Sequence, residues 1–354
     1  MNHNQKELSQ HMRIGILTGG GDCPGLNAAI RGVTRRSVDT YQSTVVGIHN
    51  GWAGLIQGDT EPLSLSSVSG ILHRGGTILG TSRTNPMKDP EDIERIKENV
   101  KKFELDAIAA IGGEDTLGAA AHLNDLGFPM VGLPKTIDND IMGTDVTFGF
   151  DTAVSIATDA IDRLHTTAES HHRVMVIEVM GRHTGWIALK AGIAGGADCI
   201  LIPEVPKSLE DICALVKQRI KRGKTFSLVV VAEGFTLTHD KELVTQDDDR
   251  DEFGHVRLGG IGEVLGAEIE QVIDIETRVT ILGHIQRGGS PTPYDRVLAT
   301  QYGVAAADLI HKGDFGKMVA LRGTKIETIP LSDVAGQIRS VDMDLYEIAK
   351  VFFG

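Results

Sequence analysis

The chain has 354 residues, 41% of them apolar and 23% charged, enough for two packed domains of ordinary size in a soluble globular protein. Its net charge of −13 argues against nucleic acid or an anionic membrane as the main partner, and no apolar run approaches the roughly 18 residues of a membrane span. Three cysteines, Cys23, Cys199 and Cys213, form an odd number without metal-ligand spacing, which predicts reduced thiols and a cytoplasmic protein.

The first twelve residues are polar and carry no apolar signal core. After them strand and helix patterns alternate, as in α/β layers around a largely parallel sheet. Residues 14–17 read as a strand, followed by the Gly-rich TGGGDCPG and a helix over 26–36. A second strand at 45–48 precedes a Gly-rich loop at 72–83, which carries Arg74 and Arg83. An amphipathic helix spans 89–103, with Pro90 at its start and acids in its first turn. Two apolar runs, 106–111 and 129–133, read as adjacent buried strands; the first ends in IGGEDT and the second in PKTIDND. A long helix follows from about 152 to 166. The second half repeats the scheme, with strand 173–179 ending in Met180-Gly181-Arg182, helix 184–194, strand 199–202, helix 209–222 with Cys213 on its apolar face, and strand 227–231. Residues 236–254, which carry QDDDRDE, read as an irregular solvated loop. Helix 261–273, strand 277–282, the stretch GHIQRGGSPTPYDR, helix 294–310, strand 317–321 and a final helix near 344–352 complete the chain.

Chemistry concentrates just past the strand ends, where open α/β sheets bind ligands. Glycines 19–21 allow backbone N–H groups to approach an anion at a helix N-terminus, although a plain tight turn explains them equally well. Their spacing is not that of a dinucleotide fingerprint. Glu114 and Asp115 open a helix, where acids also serve the helix dipole, and Asp138 and Asp140 suit a turn. Four carboxylates within thirty residues repel one another unless a cation joins them, and Lys135 or a divalent metal is the candidate. Two glycine turns, four acids and a lysine on successive strand ends suit metal-assisted phosphoryl transfer. Arginine pairs with phosphate through two parallel hydrogen bonds, and Arg74, Arg83, Arg173, Arg182, Arg278 and Arg287 lie mostly beside glycine at strand or loop ends. Glu233, after strand 227–231, can hydrogen-bond a sugar hydroxyl or cap a turn.

Taken in order, GGGDCPGLNAAIRG, RGGTILGTSR, IGGEDT, PKTIDND, IEVMGRHTGW, AEG and LGHIQRGGSPTPYDR resemble the motifs of phosphofructokinases over about residues 13 to 300. The resemblance implies two Rossmann-like three-layer α/β/α domains with mainly parallel sheets and an active site in the cleft between them. On this reading residues 12–148 plus about 286–335 bind the phosphoryl donor, and about 149–285 plus 336–354 bind fructose 6-phosphate. It implies Mg²⁺ as cofactor, fructose 6-phosphate as acceptor and an oligomeric assembly. Gly21 and Arg74 would bind the donor phosphates. Glu114 stands where the family usually has a metal-binding Asp. Asp138 would be the base for the sugar hydroxyl, with Thr136 beside the transferring group. Met180, Gly181, Arg182 and Glu233 would hold the sugar, Arg182 also facing the transferring group. His284 and Arg287 would clamp the 6-phosphate, and Arg173 and Arg278 would complete a neighbouring subunit's site.

The donor is decided in the middle stretch. ATP-using members of the family typically have glycine where this chain has Asp115, and often where it has Lys135; the pair resembles the diphosphate-dependent members. A carboxylate near the α-phosphate position of ATP repels it by roughly 4 kcal/mol at about 4 Å and an effective dielectric near 20. A lysine there stabilises charge developing on a departing phosphate. The expected activity is transfer from diphosphate to the 1-hydroxyl of fructose 6-phosphate, with an ATP-dependent phosphofructokinase as the alternative.

Overall fold

The computed structural model describes residues 11–238, 245–250 and 256–354. In chain order the elements are β1 (Arg13–Thr18), α1 (Leu26–Arg35) with a π-helical turn over Arg36–Thr40, β2 (Thr44–Ile48), α2 (Trp52–Gln57), β3 (Thr60–Leu63), α3 (Pro90–Lys102), β4 (Ala107–Gly112), α4 (Glu114–Asp125), β5 (Met130–Pro134) and α5 (Phe150–His171). They continue as β6 (Val174–Val179), α6 (Trp186–Ala194), β7 (Cys199–Leu201), α7 (Leu209–Lys221), β8 (Ser227–Ala232), β9 (Thr245–Arg250), β10 (Val256–Leu258), α8 (Ile261–Ile273) and β11 (Thr277–Ile281). A 3-10 turn over Gly283–Arg287, α9 (Pro293–His311), β12 (Lys317–Arg322), β13 (Lys325–Pro330) and α10 (Met343–Lys350) close the chain. Among the described residues, 11–151 and 287–338 form one compact unit, and 152–238, 245–250, 256–286 and 339–354 form a second.

The first unit is built on a sheet of order β13-β12-β5-β4-β1-β2-β3, in which β12, β5, β4, β1 and β2 run parallel and β13 and β3 pair antiparallel at the edges. Its central strands are near-continuous apolar runs such as AIAAIG, buried at every position, because both faces are covered. One face packs Leu17, Ile108 and Ala110 against α2, α3 and α4 through Trp52, Leu55, Ile96, Leu117 and Leu123. Helices α1 and α9 cover the other, and they cross glycine on glycine. A Cβ on Gly32 would stand 2.9 Å from the Thr300 carbonyl, and one on Gly303 would stand 2.5 Å from the Ala29 carbonyl. Beyond the crossing, Arg36 pairs with Asp308 at 2.6 Å, and Tyr41 both donates to Asp308 (2.9 Å) and stacks on His311 at 3.8 Å.

The second unit holds a four-stranded, fully parallel sheet of order β11-β6-β8-β7. Val174, Val176, Cys199, Leu201, Val229 and Val231 pack on α7 and α8 through Ile212, Val216, Leu265 and Ile269. The opposite face takes α6, whose Gly192 lies against Ile200. Glu178, an acid inside β6, is 2% exposed and accepts from the N–H groups of Gly260 and Gly262 at the start of α8. Burial raises its pKa while those two hydrogen bonds oppose the rise. Both sheets thus sit between helical layers: the alternation of elements predicted α/β layers around a parallel sheet, and the resemblance implied their Rossmann-like three-layer form.

Three differences from the sequence reading have physical causes. Strand β9, TQDDDR, pairs antiparallel with β10, so this part of the 236–254 stretch is a ribbon and not irregular. Two-stranded pairing needs backbone partners, not an apolar face, and leaves no hydrophobic signal. Residues 239–244 and 251–255 lie outside the described residues. Edge strands β3 and β13 are half-exposed and polar, so the core pattern that reveals central strands is missing from them. Helix α5 has 22 residues and extends beyond the expected bounds at both ends. All three cysteines are free and buried, and among the described residues no helix is long and apolar enough to cross a membrane.

The α1–α9 crossing yields a direct test. Gly303→Ala forces a methyl onto backbone atoms that cannot turn aside, and overpacking of this kind costs about 1–3 kcal/mol. The melting temperature should fall by several degrees; an unchanged melt would show that the two helices are not held this closely.

Candidate active site

Strand order creates the site. From β1 the chain moves through α1 to β2 on one side, then returns to lay β4 on the other side of β1. The crevice outside the carboxyl ends of β1 and β4 is a topological switch point, the place where such sheets take ligands. Here the two strand ends are stitched together, since Gly19 N–H donates to the Ile111 carbonyl at 2.9 Å. Buried Thr116, in the first turn of α4, fills the space beside them. A Cβ on Gly19 would stand 2.6 Å from Thr116 Oγ1, and one on Gly112 would stand 2.3 Å from Thr116 Cβ. The glycines of the two motifs therefore permit close approach, and Gly20 adds a left-handed φ of 76°.

The 72–83 loop is fastened across this turn. Gly20 N–H donates to the Ser82 carbonyl (3.0 Å), Thr81 Oγ1 donates to the Gly20 carbonyl (2.6 Å) and Thr18 Oγ1 to the Gly80 carbonyl (2.7 Å). Asn27 in α1 donates to the Arg74 carbonyl (3.1 Å) and accepts from Ile78 N–H (2.8 Å). Arg74 itself is exposed on this anchored loop.

Two cations converge on the same turn. Lys135, just past β5, is 3% exposed, and its ammonium donates to the Gly21 carbonyl. A Cβ on Gly21 would stand 2.7 Å from Arg287 Nη1, so the guanidinium lies directly over that peptide. Burial lowers the Lys135 pKa, as does Arg287, while Cys23, Asp22 and Asp138 act to raise it. A desolvated ammonium beside a guanidinium favours an anion.

The TIDND loop is tied down by hydrogen bonds. Asp138 N–H donates to Thr136 Oγ1 (3.1 Å), Thr147 Oγ1 donates to the Thr136 carbonyl (2.7 Å), and Thr147 N–H donates to Asn139 Oδ1 (3.0 Å) with Asn139 at φ 54°. Behind it the buried Tyr302 hydroxyl donates to the Val146 carbonyl (2.6 Å) and accepts from Leu321 N–H (3.1 Å). Burial, then Asp138, and less strongly Glu114 and Asp115, push the Asp140 carboxyl up to about 7. These four acids thus share one field. Glu114 Oε1 also accepts from Gly336 N–H at 2.7 Å. Among the described residues, no three metal-ligating side chains converge closely enough to hold an ion by themselves.

In the second unit, the carboxyl ends of β6, β8 and β11 gather Met180-Gly181-Arg182, Glu233 and His284. Gly234 N–H donates to the Gly181 carbonyl (3.1 Å), and a Cβ on Gly234 would stand 1.9 Å from the Arg182 carbonyl. Gly181 has φ 136°. Gln286, fully buried, accepts from Met180 N–H (3.3 Å) and donates to the Gly283 carbonyl (3.1 Å). The unit boundary passes between Gln286 and Arg287, so His284 and Arg287 of one motif belong to different units.

Arg173 and Arg278 are not brought to this cluster. Arg173 precedes β6 and Arg278 is the second residue of β11, so both stand at the amino-terminal end of the sheet. Seven residues of extended chain, roughly 23 Å, separate Arg173 from Met180. Both arginines pair with Glu276, Arg173 at 2.7 Å, and Arg173 foremost holds the Glu276 carboxyl below its usual range. Sequence reasoning missed Asn27, Asn139, Thr147 and Gln286. Asn27, Asn139 and Gln286 lie inside the quoted motifs, yet an amide that anchors a turn carries no charge or period to mark it.

Asp140 gives a prediction. Its folded pKa of about 7 lies above its ordinary 3.8, so the folded chain keeps a proton that the unfolded chain loses, and stability falls as pH rises between those values. Asp140→Asn should leave the melting temperature nearly unchanged at pH 4 and raise it by a few degrees, relative to the parent, at pH 8. An equal displacement at both pH values would contradict the shift.

Comparison with known proteins agrees with this geometry. A family model described as phosphofructokinase matches residues 13–310. Pyrophosphate–fructose 6-phosphate 1-phosphotransferase of Streptomyces coelicolor is 56% identical over 344 residues, covering 97% of this chain and 100% of that protein. ATP-dependent 6-phosphofructokinase 3 of the same organism is 53% identical over 333 residues, covering 93% and 96%. The crystal structure of pyrophosphate-dependent phosphofructokinase from Marinobacter aquaeolei superposes with a TM-score of 0.80 at 24% identity, over 94% of this chain and 86% of that one, and shares the fold. With its glycine turns, acids and buried lysine at the switch point of the first sheet, the chain belongs to the phosphofructokinase family.

Proposed function

We propose that this chain is a diphosphate-dependent phosphofructokinase that transfers a phosphoryl group, reversibly, from diphosphate to the 1-hydroxyl of fructose 6-phosphate. The observation that carries the donor choice is the buried Lys135 ammonium on the Gly21 carbonyl. It concentrates positive charge at one strand-end crevice of a protein with net charge −13. Diphosphate has no nucleoside to anchor it, so its affinity must come from such contacts. Gly21 and Arg74 serve the donor phosphates, and Lys135 stabilises the departing phosphate. Asp115, in the first turn of α4, repels the α-phosphate that ATP would bring.

The acids fit a hard divalent cation, because every donor is a carboxylate oxygen; burial first, and then the neighbouring carboxylates, raise the Asp140 pKa. Mg²⁺ is commonly held by one or two carboxylates and by substrate phosphates, which suits a corner without a three-ligand cluster. Glu114 would hold it, and the ion would supply charge neutralisation at the transferring phosphoryl group. Asp138 accepts the proton of the sugar hydroxyl, held in place by Thr136, Asn139 and Thr147. Met180, Gly181, Arg182 and Glu233 hold the sugar, Arg182 also meeting the transferring group, and His284 with Arg287 takes the 6-phosphate. In an oligomer, Arg173 and Arg278 would complete a neighbouring subunit's site; their distance from the chain's own acceptor cluster supports this. The buried free thiols suit a cytoplasmic enzyme.

ATP is the second reading, supported by the 53% identity to an ATP-dependent relative. Assay of purified protein with fructose 6-phosphate and either donor decides: turnover with diphosphate is expected, and substantial ATP turnover without it sinks the proposal. Asp115→Gly combined with Lys135→Gly should lower diphosphate turnover by at least tenfold and admit some ATP; unchanged diphosphate kinetics would remove the pair from donor choice. Asp138→Asn should lower kcat by about 10²–10⁴-fold while sugar-phosphate binding, read by calorimetry, persists.

A further inference from the structure

Tyr302, midway along α9, is fully buried, and its hydroxyl lies where β12 meets the chain that follows the TIDND loop. It donates to the Val146 carbonyl (2.6 Å), accepts from Leu321 N–H near the end of β12 (3.1 Å) and stands 2.9 Å from Thr144 Oγ1. Thr144 Oγ1 backs up both contacts, donating to the same carbonyl over a longer 3.1 Å and accepting from Leu321 N–H at 3.0 Å. Asp145 N–H in turn donates to the Leu321 carbonyl (2.9 Å). Burial pushes the Tyr302 pKa up, so the hydroxyl keeps the proton that it gives to Val146. The next residue carries the tie into the site: Thr147 donates through Oγ1 to the Thr136 carbonyl (2.7 Å) and through N–H to Asn139 Oδ1 (3.0 Å), on either side of Asp138. Phe148 then forms a parallel bridge with Lys135, which fixes the far end of the segment.

We infer that the Tyr302 hydroxyl is a positioning group for phosphoryl transfer: it sets where Val146 and Thr147 lie, and through Thr147 it sets where Asp138 lies. The inference rests on the role of base proposed above for Asp138. Every residue in the chain of contacts is buried, Thr144 at 1%, Thr147 at 0% and Asn139 at 2% exposed, apart from the partly exposed Thr136, Asp145 and Val146. Water is therefore a poor substitute at the Tyr302 end. A phenylalanine there fills the same space but leaves the Val146 carbonyl and Leu321 N–H to Thr144 Oγ1 alone. A buried carbonyl that loses its shorter donor moves toward the one that remains. Misplacement of a reacting group by about 1 Å can cost roughly 100-fold in rate, so a fraction of that distance is felt. Proton acceptance belongs to the transition state, so the loss falls on kcat and spares KM for the sugar phosphate.

A double-mutant cycle on the full chain, read by steady-state kinetics with fructose 6-phosphate and each donor, tests this. Tyr302→Phe should lower kcat about threefold to tenfold, with KM for fructose 6-phosphate within about twofold of the parent. Added to Asp138→Asn, the same substitution should change the residual kcat by less than about twofold, because the group it positions has gone. Thr144→Val removes the other hydroxyl at Val146 while the tyrosine stays, and it carries the same expectation in both backgrounds. It keeps the test open should Tyr302→Phe fail to fold. The inference is overturned if both variants turn over as fast as the parent, or if their losses are as large with Asp138→Asn as without it, the mark of a merely structural role. Full-rate turnover by Asp138→Asn overturns it together with the proposed base. Turnover confined to ATP, with the coupling intact, overturns the diphosphate reading and leaves this one standing.

Discussion

A buried ammonium is the constraint on which the first unit turns. Lys135 leaves β5 and ends on the Gly21 carbonyl, so it joins the strand end two positions away to the turn that follows β1. Removing a charge from water is unfavourable, and burial accordingly lowers the Lys135 pKa. Asp22 and Asp138 oppose that effect, whereas Arg287 adds to it. The outcome is two cations held among carboxylates at one strand end, over glycine turns that Thr116 and Arg287 pack against. Asp115 and Glu114 stand at the edge of the same crevice on α4, so the corner can take an anion and a cation together.

The second unit repeats the principle with a different polarity. Its parallel strands again end in glycine turns, but the groups presented there are arginine, glutamate, histidine and backbone, with Gln286 as the buried tie between β6 and the turn after β11. The two arginines at the opposite end of that sheet share Glu276. An exposed shared ion pair of this sort stabilises little, so a partner with phosphate chemistry can take those arginines at small cost.

Much of this was legible in the sequence because the central strands are buried on both faces and read as unbroken apolar runs, while the turns after them carry glycine beside charge. The acids at 114, 115, 138 and 140 and the lysine at 135 could be placed at strand ends from those signals alone. The polar strands at Thr245–Arg250 and Lys325–Pro330 could not, because backbone pairing leaves no mark on side-chain pattern. Nor could the Lys135 hydrogen bond to Gly21, the seat of Arg287 over that peptide, or the reach of Glu114 to Gly336. Each depends on residues more than a hundred positions apart, whose meeting is set by strand order.

The reverse reaction tests the central claim most directly, since only a diphosphate enzyme makes diphosphate from orthophosphate. Purified protein with Mg²⁺, fructose 1,6-bisphosphate and orthophosphate, followed by phosphorus NMR without nucleotide, should show a diphosphate resonance rising as the sugar loses its 1-phosphate. No diphosphate under these conditions, with ATP formed when ADP replaces orthophosphate, would contradict the account.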